Sequence, residues 1–487
     1  MVDLSTYNYI FYDFETTGQN PCFDQAVRFA AIETDTNLQP IDSCNINIKL
    51  RNDVLPHPKA LLVNKLSITD LQSGDCEYEG FQKIHNLFNK PNTISIGYNS
   101  LNFDDIFLRF GFYRNLLDPY SHHNPLKGNN FRADLYNIIF MYYLYKNEES
   151  IVWPMINNRL SLRLEQINSI NNLYEGMSHD AEVDVQVTIK LAQKLKSIDD
   201  KMWNYLVSHF VKTYDRTQFN KLTSITCINQ QEYKIGLFIG SKIGLKSNYC
   251  APVIYLSQPD KSKIILLRLD YYDFEDFNKN TFVDEIKKGI ISKKFGEPNF
   301  IIPFTDQYAR VLDEHITSLA KSNLSWIKHN PEALESLISL HQKYEYDTQD
   351  MLDLDASLYE NGFFKTDEVN MMKTFHNKNI TDKVEYINNL DNNRIKALGM
   401  RIIGRNYFDS LSNEAGHYYN TYLNEILYKD PKNVDFRGTL RTAPNILLRE
   451  TKELLRNKDL DSADQNILNS LKDLILEKTR TQQDLGF

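Results

Sequence analysis

The chain has 487 residues, is 42% hydrophobic and 24% charged, and carries a formal net charge of −9. That is too long for one ordinary core, so about two to four domains are expected. No apolar run reaches the ~18 residues of a membrane-spanning helix, and the acidic balance argues against a uniformly basic nucleic-acid binder.

Residues 7–14, 26–33 and 44–50 are rich in aromatic and β-branched types and predict three successive strands in an antiparallel meander. The first, NYIFYDFETTG, breaks the rules of a strand. Asp13 and Glu15 interrupt its apolar run at i and i+2, so both carboxylates project from one face. Two like charges that close repel, and burying each costs on the order of several kcal/mol. TISIGYN, at 93–99, predicts a fourth strand. FDDIFLRFGFYRNL, at 103–116, predicts a helix opened by Asp104, with Phe103, Phe107 and Phe110 at helical spacing. SLRLEQINSI, at 161–170, predicts a short helix with Ser161 as its N-cap. HDAEVDVQVTIKLAQKLKS, at 179–197, predicts an amphipathic helix with Asp184, Thr188, Leu191 and Leu195 along one stripe.

A meander followed by alternating helices and strands indicates an α/β domain over residues 1–198. Residues 199–348 carry the strand signals YKIGLFIGSKIG, APVIYLS and KIILLRLD. Gly236, Gly240 and Gly244 there suggest turns of a small barrel-like sheet. Residues 349–487 are helical in pattern, from LDASLYENGFF to the leucine-rich ELLRNKDLDSADQNILNSLKDLILEKT.

Charge is unevenly spread. Residues 1–50 hold seven acids and two bases, and residues 201–250 hold seven bases and two acids. An acidic pocket beside a basic surface suits metal chemistry on a polyanion; ordinary fluctuation along a long chain is the plainer reading. The cysteines at 22, 44, 76, 227 and 250 form no CxxC pair, which suggests reduced thiols in a cytoplasm. The opening MVDLSTYNYIFYDF has no basic stretch ahead of a short apolar one, so no secretory signal is expected.

Asp13, Glu15, Asp104 and Asp184, with His179 just ahead of the last helix, form one candidate constellation. Acids from three separate elements at one strand end call for cations. Hard oxygen ligands favour Mg²⁺ or Mn²⁺, and a pair of such ions is a standard clamp for phosphodiester displacement. A histidine can take the proton of the attacking water. Taken singly, each residue has a plainer role. Asp104 reads as a helix-start acid, His179 as a cap and a lone DxE as a surface pair. Asp184 is harder to dismiss, because acids on an apolar stripe are rare.

FYDFETTG, GYNSLNFDD and HDAEVD together resemble the three motifs of the DEDDh exonuclease superfamily, which has a ribonuclease H-like fold. DPYSHH, WPMINNRLSLRLEQI, LYENGFF and RIIGRNYFDSL extend that resemblance to the bacterial exodeoxyribonuclease I family over nearly the whole chain. It implies an α/β ribonuclease H-like exonuclease domain, then an SH3-like β-barrel domain, then an α-helical C-terminal domain. It further implies a processive 3′→5′ exonuclease that degrades single-stranded DNA to 5′-mononucleotides in DNA repair. An exoribonuclease or oligoribonuclease with the same site is the alternative, but those relatives are much shorter.

Carried over by motif, Asp13, Glu15 and Asp184 would hold two Mg²⁺ ions, for which Mn²⁺ could substitute. Asp104 would complete the shell and His179 would be the general base. Substrate contacts would come from Glu15, Thr16, Arg163, Arg109, Tyr120, Tyr205, Lys242, Lys246, Tyr249, Tyr359 and Arg405. Taken alone, Arg109 reads more readily as a solvated helix charge, and Tyr120 as a packed loop aromatic. Near IIPFTDQYARVL the family is lysine-rich and this chain is not, so a DNA or partner-protein contact there is expected to be either lost or moved to Lys293 and Lys294. The resemblance also implies a cytoplasmic monomer that docks on the acidic tail of single-strand DNA-binding protein. Separately, the terminal TQQDLGF places Gln482, Leu485 and Phe487 in the Q-x-x-L-x-F pattern of sliding-clamp peptides; a frayed terminus of ordinary residues is the plainer reading.

Overall fold

The computed structural model describes residues 2–124, 128–147, 151–176, 180–226, 232–276, 286–341, 351–428 and 431–480. His179 and the peptide residues Gln482, Leu485 and Phe487 lie outside the described residues. Packing divides the chain into two compact units. One comprises Tyr7–Arg132, Tyr174–Ile189 and Asp347–Phe487; the other comprises Met1–Thr6, Ala133–Leu173 and Lys190–Tyr346. The first thus groups most of the expected α/β segment with the helical C-terminal segment.

In the first unit the elements run β1 (Asn8–Thr16), β2 (Ala26–Thr34), β3 (Pro40–Asn47), α1 (Pro58–Asn64), α2 (Glu77–Phe88), β4 (Thr93–Gly97) and α3 (Asp104–Arg114), and the chain passes from the first unit to the second within β5 (Phe131–Asp134). The sheet order is β3-β2-β1-β4-β5. β1 is central, antiparallel to β2 and parallel to β4. Being covered on both faces explains its continuous apolar run: Tyr9, Ile10, Phe11, Tyr12 and Phe14 are all buried. Gly97 ends β4 where a Cβ would lie 2.9 Å from the Tyr12 carbonyl oxygen and 2.6 Å from Ser100 Cβ, so a side chain there would collide with β1 and the turn. The third strand spans Pro40–Asn47 rather than the expected 44–50: Ile48 still donates to the Val27 carbonyl at 2.8 Å, but on the other side the Asn47 carbonyl and the Lys49 N–H pair with Asp75.

Phe14, Phe29, Phe81, Phe88, Leu108 and Phe112 form the core between the sheet, α2 and α3. The opposite side of α3 packs Phe110 and Tyr113 against Leu398, Ile402 and Ile403 of the helix Asn393–Asn406. α3 is therefore buried on both sides, which holds Asp104 at its first turn in place.

The second unit holds a two-stranded hairpin, β6 (Met155–Ile156) and β7 (Arg159–Leu160). Asn157 and Asn158 turn it with φ of 49° and 59°, as a tight hairpin turn demands. The Ser161 backbone N–H continues the hairpin by donating to the Pro154 carbonyl at 2.9 Å. The helix consequently starts at Leu164, with Arg163 and not Ser161 at its N-cap position. Farther on come β8 (Ser224–Thr226), β9 (Glu232–Ile239), β10 (Cys250–Asp260), β11 (Lys263–Arg268), β12 (Ile290–Lys294) and β13 (Phe300–Pro303). They form an antiparallel sheet of order β12-β11-β10-β9-β13, with β8 pairing β9 beyond the end of β13. Gly240 and Gly244 have positive φ, as turns require, whereas Gly236 lies inside β9 with Ile301 packed over it.

Candidate active site

β1 carries Asp13 and Glu15 to the edge of the core, and its register with β2 shifts between Glu15 and Thr16. The chain then turns through Thr16, Thr17 and Gly18, and this turn is fastened at several points. Thr16 Oγ1 donates to the Gly18 carbonyl at 2.7 Å, and Asn64 Nδ2 donates to the Thr16 carbonyl at 3.0 Å. Gly18 is tightly enclosed: a Cβ would lie 2.3 Å from Asp24 Oδ2 and 2.6 Å from the His57 ring. That closeness accounts for the glycine of the DxETTG stretch.

Asp184 reaches the same place from the helix Ala181–Ile198. Asp180 caps that helix, its Oδ1 accepting the Glu182 N–H at 3.1 Å. Carboxylate oxygens of Asp13, Glu15 and Asp184 lie within 4.8 Å of one another. Asp104 joins from α3, and its Oδ1 accepts the Phe14 N–H at 3.2 Å. Burial, followed by repulsion from Asp104, Glu15 and Asp184, pushes the Asp13 carboxyl well above the usual range. Burial and the charges of Asp184 and Asp104 push Glu15 up to about 8, with Arg28 acting in the opposite direction. Oxygen-only donors that repel one another fit a hard divalent cation, which would relieve both burdens. The acids open onto a cleft of about 910 Å³, also lined by His57, Lys59, Asn64, Asp435, Arg437 and Arg441.

A family model described as Exonuclease matches residues 10–192, and one described as Exonuclease I C-terminal domain matches residues 352–477. Exodeoxyribonuclease I of Escherichia coli strain K12 is 29% identical over 390 residues, covering 75% of this chain and 78% of that protein. Exodeoxyribonuclease I of Buchnera aphidicola subsp. Schizaphis graminum is 27% identical over 433 residues, covering 84% of this chain and 85% of that one. The chain belongs to the bacterial exodeoxyribonuclease I family. Among solved members of the exodeoxyribonuclease I family, E. coli Exonuclease I in complex with a dA16 oligonucleotide matches with a TM-score of 0.83 and 22% identity, over 97% of this chain and 100% of that one. Exonuclease I of Methylocaldum szegediense matches at 0.82 and 23%, over 97% of this chain and 99% of that one. At such identities what is shared is the fold.

Within this exodeoxyribonuclease I frame the other expected residues fall into distinct settings. Arg109 pairs with Asp105, which also holds His122 at 3.1 Å and Arg132. Tyr120 is half-buried with its ring 4.9 Å from Phe363, and Tyr359 is exposed over Phe110 and Phe436. In the second unit, the Arg163 side chain is 74% exposed. Lys242 donates to the Ser292 carbonyl at 2.8 Å, and Lys246 is exposed on the short 3₁₀ turn Leu245–Ser247. Tyr249 packs on Phe140 at 4.6 Å, and Tyr205 packs edge-on against His209 at 4.6 Å.

Arg405 contradicts the expectation of a channel residue. Only 8% exposed, its guanidinium is held by Asp355 and by Asp53 at 2.9 Å, inside a buried network that includes Arg51, Glu77, Arg114 and Arg401. A guanidinium buried between two carboxylates is neutralised and out of a phosphate's reach. Lys293 is likewise buried, its ammonium 2.8 Å from Asp215.

Sequence reasoning missed Asp180, whose charge adds to the elevation of both Asp13 and Glu15. Its position just ahead of an apolar-periodic run was the available signal, since that is where an N-cap acid sits. It also missed Asp24 and His57, 3.6 Å apart in the cleft lining, which belong to loops without any period.

Proposed function

We propose that the protein is a divalent-metal-dependent 3′→5′ exonuclease that releases 5′-mononucleotides from single-stranded DNA. The observation that carries this reading is the convergence of Asp13, Glu15 and Asp184 within 4.8 Å at the floor of a cleft. Those carboxylates would hold Mg²⁺, as a pair of ions, with Mn²⁺ able to replace it. When bound, such ions supply charge neutralisation and Lewis acidity at the scissile phosphate. Asp104, tied to the Phe14 amide, keeps the strand end and α3 at fixed separation, so the acids need no rearrangement when a strand arrives. His179 stands directly before Asp180 in the chain. In this reading it accepts the proton of the attacking water.

The same reading assigns catalysis to residues 1–198, an SH3-like strand-guiding role to 199–348 and channel closure to 349–487. Thr16, Arg163, Arg109, Tyr120, Tyr205, Lys242, Lys246, Tyr249 and Tyr359 supply strand contacts, the arginines and lysines to phosphates and the tyrosines to bases. In this reading the strand stays bound between cuts. No helix among the described residues is long and apolar enough to cross a membrane. The enzyme is proposed to act as a cytoplasmic monomer in DNA repair. It would bind the acidic tail of single-strand DNA-binding protein, and the sliding clamp through Gln482, Leu485 and Phe487.

The test is direct. End-labelled single-stranded DNA, duplex DNA and RNA are incubated with Mg²⁺ and then with chelator. Mononucleotide release from single-stranded DNA, abolished by chelator and by Asp13→Ala, is expected. Preferential RNA cleavage would overturn the substrate assignment, and chelator-resistant activity would overturn the mechanism. Clamp binding is checked by pull-down with and without residues 482–487, where equal retention removes that partner.

A further inference from the structure

The C-terminal segment adds a small hairpin to the cleft wall. Val434 pairs antiparallel with Leu440 and parallel with Leu352. Asp435 closes the turn between them. One of its carboxylate oxygens accepts the backbone N–H groups of Arg437 and Thr439, each at 2.8 Å, and its own N–H donates to the Thr439 carbonyl at 2.9 Å. Gly438 adopts a φ of 76°, which few other residues would tolerate. The second carboxylate oxygen accepts from Asn20 Nδ2 at 3.0 Å, in the loop that follows β1. The hairpin is therefore tied to the strand that carries Asp13 and Glu15. Its tip residue, Arg437, is exposed, with its guanidinium 4.8 Å from the Phe436 ring. Phe436 in turn stacks on Phe110 at 5.3 Å.

Arg437 borders two cavities. One is the acidic cleft; the other, about 260 Å³, is lined by Asn102, Phe103, Ile106 and Phe107. Phe103, Gln19 and Pro21 also border both, so the two cavities share a rim at Arg437. Among the charged residues of the cleft lining acids outnumber bases, which would repel an incoming polyanion. Its Arg441 is buried and engaged with the Asp53 carbonyl at 3.3 Å and the Tyr422 hydroxyl at 3.2 Å. Lys59 and Arg437 are the exposed lysine and arginine of that lining among the described residues.

We infer that Arg437 clamps a backbone phosphate of the nucleotide next to the one being released, while the Phe103–Ile106–Phe107 pocket takes that nucleotide's base. This rests on the exonuclease reading. A guanidinium fork matches phosphate oxygens, and an aromatic-lined pocket accepts any base face. Held at both points, the strand end would be set in register over the acids. Arg437 is thus a substrate-positioning residue supplied by the helical segment to the exonuclease cleft.

The experiment compares the parent with Arg437→Ala and Arg437→Lys. One substrate series is oligothymidylate carrying a single neutral methylphosphonate linkage, moved stepwise from the 3′ end. A second places an abasic residue at the same steps. The third substrate is the p-nitrophenyl ester of thymidine 5′-phosphate, which has no neighbouring nucleotide. In the parent, one neutral linkage should raise KM by about tenfold or more, the size of a lost charged hydrogen bond. Arg437→Ala should show that rise on the ordinary strand and no further rise with the neutral linkage. Arg437→Lys should recover part of it. The loss in Arg437→Ala should be larger on the strand than on the ester, and an abasic residue at the same step should raise KM in the parent. Equal sensitivity of parent and Arg437→Ala to every neutral linkage would overturn the clamp, and indifference to every abasic residue would overturn the base pocket. A parent inactive on all substrates would instead overturn the exonuclease reading, and this inference with it.

Discussion

The backbone N–H of Phe14 donates to Asp104 Oδ1 at 3.2 Å, so the first turn of α3 is fastened to β1 between its two acids. Asp104 therefore does structural and electrostatic work at once. Asp104→Asn keeps an oxygen for the Phe14 amide and removes the charge. Asp104→Ala removes both and leaves a buried N–H without its acceptor, at a cost of about 1–3 kcal/mol. Denaturant unfolding should separate the pair, with the asparagine variant near the parent and the alanine variant clearly weaker. Turnover should fall by about tenfold to a hundredfold in both, as for groups that support a metal shell. Equal stability of the two variants would remove the structural half of this account.

Asp13 carries an electrostatic burden of its own. Burial and four neighbouring acids oppose its charge, so in metal-free protein it is a liability. Asp13→Asn should leave the metal-free protein at least as stable as the parent, with a gain of about 1 kcal/mol, while activity is lost. Adding Mg²⁺ or Mn²⁺ should raise the parent's Tm with ligand concentration and leave Asp13→Asn nearly unmoved. A metal-free Asp13→Asn that melts well below the parent would contradict the repulsion argument.

The local parts of this site were legible because they follow backbone periodicity. The i, i+2 spacing of Asp13 and Glu15 placed both on one face, and the helical stripe around Asp184 gave its orientation. Strand ends and caps were less so. Ser161 has the chemistry of a cap, but a hairpin partner claims its N–H. Long-range pairing was not legible at all. Arg405 reads as a spare cation because its partners Asp53 and Asp355 stand far away in the chain and nothing in the local pattern announces them. Arg437 was hidden for the same reason, since long-range contacts such as the Asn20–Asp435 bond bring its hairpin to the cleft.

Arg405→Met tests that reassignment. Removing one partner of a buried pair strands the others, so the variant should lose about 3–5 kcal/mol of stability. A channel residue would instead lose affinity at unchanged stability. Denaturant melts read the first, and fluorescence titration of a labelled oligothymidylate in chelator reads the second. A stable Arg405→Met with weakened binding would restore the channel assignment.

Acid should act on the first unit through an upper and a lower destabilising step, set against the raised Asp13 and Glu15 carboxyls, which favour the metal-free fold as pH falls. Burial lowers His85 from 6.5 to about 4 in the folded chain, where its ring lies 3.0 Å from the Ser121 hydroxyl. Between those values the unfolded chain binds a proton that the folded one excludes, so the stability contributed at His85 falls as pH drops from 6.5 towards 4. Asp105 acts lower down. Burial would raise it, but Arg109 and His122 outweigh burial and hold it at about 2, against 3.8 ordinarily. Its contribution is complete above 3.8 and is lost as pH falls through 2. Asp53, held well below its usual range by Arg405 and Arg51 against burial, adds to the same trend. His85→Gln should flatten the upper step by at most about 3 kcal/mol, one proton's linkage over that window. It should leave the lower step in place, because Asp105 keeps its partners. Denaturant midpoints for parent and variant from pH 7 to pH 3 read both steps. An unchanged slope between pH 6.5 and pH 4 in His85→Gln would assign the upper step to another group.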